Sequence, residues 1–149
     1  MEPIEFPQDF SEFLKLLNDH NVEYLLVGGF AVALYGYPRA TADMDVWVAR
    51  NQLNAERIVS CLREFGFDTP SLNVELFQDP ERIVRMGEAP LRIEILTDMY
   101  GVQFDECLLR AQMQEVDGLM IPVIALDDLK TNKLASGRAK DLDDLENLP

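Results

Sequence analysis

Gly28-Gly29-Phe30-Ala31-Val32-Ala33-Leu34-Tyr35-Gly36-Tyr37-Pro38-Arg39-Ala40-Thr41-Ala42-Asp43-Met44-Asp45-Val46-Trp47-Val48 is the stretch on which the reading of this chain turns. The apolar run Tyr24–Val27 leads straight into the glycine pair and reads as a buried strand. Gly28 and Gly29 let the backbone turn tightly and approach a ligand closely. Phe30 to Leu34 then reads as a short helix, whose N-terminal N–H groups and dipole suit an anion such as a phosphate. A strand-to-helix turn with no ligand explains the glycines equally simply. Further on, Asp43 and Asp45 flank Met44 at the start of a strand. Residues two apart on a strand share a face, so two carboxylates are forced together while Met44, Val46 and Val48 point into a core. Paired carboxylates repel unless a cation lies between them, and magnesium prefers such oxygens together with substrate phosphates. An exposed acidic edge is the plain alternative. Arg39 and Thr41, just before the aspartates, suit phosphate neutralisation and carboxylate orientation respectively, or simply a surface loop after Pro38.

Working outward, Leu91-Arg92-Ile93-Glu94-Ile95-Leu96 alternates as a strand with Glu94 at its centre. A neighbouring strand would place this third carboxylate beside the first two. Three carboxylates hold two metals about 3.5–4 Å apart, the clamp for in-line phosphoryl displacement. Arg92 shares the face of Glu94, so an ion pair on a solvated sheet is the competing explanation.

The rest of the chain supplies a mixed framework. A helix opens near Asp9 and Glu12, which have capping-box spacing, and carries Phe10, Phe13, Leu14 and Leu17. Helices are expected from about Leu53 to Phe65, around Phe104 to Ala111, and from Leu126 to Ser136, closed by Gly137. Leu72 to Phe77 and Arg82 to Met86 read as strands, Val116 to Gly118 as a hairpin turn before a strand from Met120 to Ile124, and Leu142 to Leu148 as a last short helix. Helices and strands are mixed without strict alternation, which predicts an α+β (mixed α/β) fold in one domain spanning 1–149.

The order of these features, strand, Gly-Gly, short helix, Arg-x-Thr, Asp-x-Asp and a later acidic strand residue, resembles the nucleotidyltransferase superfamily with its polymerase-beta-like fold. The likeness is to its small bacterial members, the minimal nucleotidyltransferases and those related to abortive infection and toxin–antitoxin systems. It implies a mixed sheet flanked by helices. It also implies transfer of a nucleoside monophosphate from a nucleoside triphosphate to a hydroxyl, on two magnesium ions, with manganese as a substitute. Carried over, Gly28 and Gly29 bind triphosphate, Asp43 and Asp45 bind both metals, and Glu94 completes the site and helps deprotonate the acceptor. The segment Leu129 to Leu142 extends the resemblance: Lys130 and Lys133 share a helix face and would meet the triphosphate, whereas Arg138 and Lys140 read as ion-pair partners of Asp141, Asp143 or Asp144. Two positions depart from the family pattern, the second glycine in place of serine and Glu94 in place of aspartate. A catalytically silent binding or antitoxin module on the same fold is the alternative function.

Composition narrows the partners. With Lys plus Arg at 13 against Asp plus Glu at 27, the net charge of -14 repels a nucleic-acid backbone and argues against an extended nucleic-acid surface. A protein side chain, a small molecule or a single RNA 3′ end, such as that of a tRNA, remains open as acceptor, as do a protein partner and a homodimer. No apolar run approaches the roughly 20 residues a membrane helix needs, and a cytoplasmic location is expected. Cys61 and Cys107 fit the apolar faces of helices. The single histidine, His20, reads as a turn residue.

Overall fold

Alternating or wholly apolar short runs become strands here because each has a buried neighbour on at least one face. The computed structural model describes residues 8–37, 43–88 and 92–149. Within them the order is α1 (Gln8–Asp19), β1 (Tyr24–Val27), α2 (Gly28–Leu34), β2 (Asp43–Val48), α3 (Gln52–Phe65), β3 (Ile83–Met86), β4 (Arg92–Leu96), α4 (Phe104–Arg110), β5 (Gln112–Val116), β6 (Leu119–Val123), α5 (Leu126–Ser136) and α6 (Ala139–Asn147). The strands form one sheet in the order β3-β4-β2-β1-β6-β5. β2 runs parallel to β4 and β1 parallel to β6, while β1–β2, β3–β4 and β5–β6 pair antiparallel. The expected mixed α+β architecture is what the chain adopts.

The core explains the helix positions. α1 buries Phe10, Phe13, Leu14 and Leu17, and α3 buries Ala55, Ile58, Val59 and Leu62. They meet through Phe13 and Phe65, whose ring centroids lie 5.5 Å apart. The Asn51 side chain accepts from the Asn54 N–H to cap α3, and Gly66 closes the helix at φ 115°, a left-handed position that glycine takes without a Cβ clash. Asn54 itself is buried and fully used: it accepts from the Glu23 N–H and donates to the carbonyls of Glu23 and Ala49. It thus pins the start of β1 to the end of β2.

One expected strand is absent. Leu72 to Phe77 reads as alternating, yet Val74–Phe77 forms a single 3-10 turn, with the Asn73 side chain accepting from the Leu76 N–H. That cap diverts the backbone from an extended path, and the apolar spacing then serves to bury Phe77.

Candidate active site

Three strands converge on one acidic face. β2 contributes Asp43 and Asp45, and β4 lies alongside in parallel register, with Asp43 opposite Arg92 and Asp45 opposite Glu94. The alternate residues Met44, Val46, Val48, Ile93 and Ile95 fall on the other face and are buried. That apolar set fixes the register, because a one-residue slip would carry every one of them to the acidic side. The juxtaposition of Asp45 and Glu94 is therefore a consequence of core packing. Trp47 continues the acidic face along β2; it is buried and meets Phe104 of α4 edge-on at 5.2 Å between ring centroids. It acts as a packed aromatic beneath the site.

Asp45 and Glu94 are hydrogen-bonded to each other. Burial, first of all, and then the hydrogen bond and negative charge of Glu94 push the Asp45 carboxyl up to about 8, with Lys140 pulling the other way. Burial also opposes ionisation of Glu94, but hydrogen bonds from Asp45 and Arg85 and the charges of Arg85 and Arg92 outweigh it and hold Glu94 below its ordinary value. Asp45 is thus the proton donor of the pair near neutral pH. Its Oδ1 is buried without a hydrogen-bond partner among the described residues, a costly state for a carboxyl oxygen. Asp43 lies one pleat away, its Oδ1 3.7 Å from Arg92 Nε. Arg85, across from Glu94 on β3, donates from Nε to Glu94 Oε1 at 2.8 Å.

Gly28 stands against this pair. Its φ is +67°, and a Cβ there would lie 2.1 Å from Asp45 Oδ2 and 3.0 Å from Asp45 Cβ. Both the backbone conformation and the contact demand glycine. Gly29 is buried behind it in α2. Arg39 and Thr41 lie outside the described residues.

The lysines separate into two kinds. Lys133 is 4% exposed and bridges Asp141 at 2.9 Å and Asp144 at 3.0 Å, both of which are 1% exposed. Lys130 donates to the Pro149 carbonyl. Both are thus bonded to groups other than the carboxylate pair. Besides Arg85 and Arg92, charge reaches it from the joint between α5 and α6: Lys140 acts on Asp45, and Arg138 feels both Asp45 and Glu94 while donating to Asp141 at 2.7 Å. From the sequence, Arg138 and Lys140 read as ion-pair partners of Asp141, Asp143 or Asp144, and Arg138 does donate to Asp141. Their place after Gly137, which ends α5 at φ 66° and turns the chain back, was the available signal.

Oxygen donors are the right chemistry for a hard cation. Among the described residues, however, no three His, Cys, Asp or Glu side chains are gathered as a ready metal cage: Asp45 and Glu94 are in contact, and Asp43 lies beside Arg92. No helix among these residues is long and apolar enough to cross a membrane.

Solved proteins share this fold. The chain is similar to TM1012 of Thermotoga maritima, provisionally assigned as a nucleotidyltransferase, at 19% identity and TM-score 0.67 over 98% of this chain and 95% of that one. It is also similar to the lincosamide antibiotic adenylyltransferase LnuA, solved with lincomycin bound, at 16% identity and TM-score 0.60 over 96% of each chain. JHP933 from Helicobacter pylori matches at 19% identity and TM-score 0.50, over 94% of this chain and 62% of that one. No curated protein matches the sequence. The profile of the family described as "Nucleotidyl transferase of unknown function (DUF2204)" spans residues 7–149, and the chain belongs to that nucleotidyltransferase family.

Proposed function

We propose that this protein moves a nucleoside monophosphate from a nucleoside triphosphate to a hydroxyl acceptor, with Asp43, Asp45 and Glu94 holding two magnesium ions. The observation that carries this reading is the Asp45–Glu94 pair: two acids in register on adjacent strands, one with an orphaned buried oxygen and a proton retained to about 8. Asp43, Asp45 and Glu94 would hold the divalent cations, with the orphaned Asp45 oxygen as one donor, and the metal would supply charge neutralisation at the phosphates. Asp43 joins the set by turning from Arg92. Gly28 and Gly29 would meet the triphosphate beside Asp45, and Lys140 and Arg138 would add positive charge as the leaving pyrophosphate accumulates negative charge. The acceptor oxygen bonds to the α-phosphorus, the bond from that phosphorus to the β-bridging oxygen breaks, pyrophosphate departs, and the hydroxyl proton passes to the carboxylate pair.

Isothermal titration with each of the four ribonucleoside triphosphates, with and without magnesium, tests this directly beside the Asp43→Ala/Asp45→Ala double variant. Magnesium-dependent heat that the variant loses is the expected result, followed by pyrophosphate release in an acceptor screen. Absence of heat with every triphosphate would overturn the reading.

A second reading has one observation in its favour. Arg85 and Arg92 already sit beside Glu94 and Asp43, so internal cations partly fill the role of metal. In a silent module, such as one component of a toxin–antitoxin pair, that arrangement would be permanent. Magnesium-dependent triphosphate binding with no pyrophosphate release under any acceptor would select it.

A further inference from the structure

The acidic cluster has two unlike flanks. On the β1 side, Gly28 presses its bare backbone against Asp45. On the other side lies β3, the edge of the sheet, where Arg85 stands in register with Glu94. Arg85 is 61% exposed, and its bond to Glu94 uses Nε. A guanidinium carries five N–H groups, so holding Glu94 leaves donors for a second oxyanion. Arg92, one strand inward and opposite Asp43, is a second partly exposed cation on the same face. Ile83, two residues from Arg85 and so on its face, is exposed and apolar.

In-line transfer needs the acceptor and the leaving group on opposite sides of the transferred phosphorus. With triphosphate on the glycine flank, the acceptor comes from the arginine flank, next to Glu94. We propose that the β3 edge receives the acceptor, and that the acceptor is a small hydroxy compound bearing an oxyanion, a carboxylate or a phosphate monoester, gripped by Arg85 while Arg85 remains on Glu94. The inference rests on the nucleotidyltransferase reading above and names its acceptor class. Small size follows from the net charge of -14, which repels a polyanion at long range but is overcome for a single oxyanion by a fork-shaped charge-assisted contact.

The test needs no nucleotide. The arginine Nε–H resonances of the protein are followed during titration with glycerate, glycerol 3-phosphate and glycerol, the Arg85 signal being identified by its loss in Arg85→Lys. The expected result is a saturable shift of the Arg85 signal by at least one anion, with affinity about tenfold or more above that for glycerol. Whichever anion prevails separates carboxylate from phosphate. Arg85→Gln should lose that affinity and Arg85→Lys should keep part of it. Equal response to glycerol, no response to either anion, or undiminished anion binding in Arg85→Gln would each overturn the proposal and leave Arg85 as a counter-ion to Glu94. Failure of triphosphate binding in the parent protein would instead sink the nucleotidyltransferase reading, with the anion titration still deciding the chemistry of the β3 edge.

Discussion

Two carboxylate clusters among the described residues are built on opposite principles. At the α5–α6 joint, Asp141 and Asp144 are buried around Lys133, and Asp141 also accepts from Ser136 and Arg138. Burial alone would raise the Asp141 carboxyl, but hydrogen bonds from Arg138, Ser136 and Lys133 reverse it and bring it down to about 2. On the β2–β4 face, Asp45 has an acid for its nearest partner and is driven up to about 8. The first cluster is electrically complete and serves as structure. The second is incomplete, which is how a site awaiting a cationic or phosphate-bearing ligand is built. The two are connected: the complete cluster fixes α6 on α5, and α6 carries Lys140 toward the incomplete one.

The largest test of that contrast removes one charge from each cluster. Lys133→Met leaves two buried carboxylates without their shared cation and should lower stability by about 3–5 kcal/mol, read as a lower urea midpoint at unchanged slope. Asp45→Asn should change stability by only about 0.5 kcal/mol at pH 7, since Asp45 already carries its proton there and the amide still donates to Glu94. Its triphosphate transfer should nevertheless fall by about a thousandfold, on the scale of about 4 kcal/mol of transition-state stabilisation. If Lys133→Met unfolded like the parent, the claim that the first cluster is structural would fail.

Much of the incomplete cluster was legible in the sequence. Period-two alternation forces Asp43 and Asp45 onto one face, and the same alternation around Glu94 with buried Ile93 and Ile95 makes its strand unmistakable. The adjacency of β2 and β4 was open from the residues alone, which say only that a neighbouring strand could bring Glu94 beside the aspartates; no local pattern encodes which strands pair. The complete cluster was harder to see. Lys130 and Lys133, three apart, read as one basic face, but α6 folds back over α5 and takes Lys133 into the interior while Lys130 stays at the rim. The spacing of Asp141 and Asp144, one helical face of paired acids, was the trace it left. Leu72 to Phe77 misled because alternation over six residues fits a strand and a capped 3-10 turn alike.

Acidity separates the clusters along the pH axis. Asp45 has a folded value above its unfolded 3.8, so the folded state binds more protons between those limits. Its contribution to stability is complete below about 3.8 and is lost as pH rises through about 8. Asp141 is the reverse: its folded value of about 2 lies below 3.8, so its contribution is present above 3.8 and is lost as pH falls through about 2. Urea titrations of the magnesium-free protein from pH 2 to pH 9 should therefore show Asp45→Asn flattening the loss on the alkaline side, and Asp141→Asn flattening the loss on the acid side. Interchanged effects would mean that the two clusters have been assigned the wrong roles.

A stability effect smaller than that of Lys133→Met falls where the site meets the backbone. Gly28 is held at φ +67° with Asp45 pressed against its Cα, so Gly28→Ala incurs left-handed strain and displaces the Asp45 carboxyl. The strain amounts to about 1–2 kcal/mol, less than the loss of the Lys133 pair, because the Asp45 side chain moves aside more easily than a buried charge finds a new partner. That movement separates Asp45 from Glu94. Triphosphate binding and the alkaline stability loss should therefore disappear together in Gly28→Ala, whereas Gly66→Ala, with open space around its Cα, should show strain of similar size and keep both. A Gly28→Ala protein that lost only stability would show that the glycine serves the turn and not the carboxylate pair.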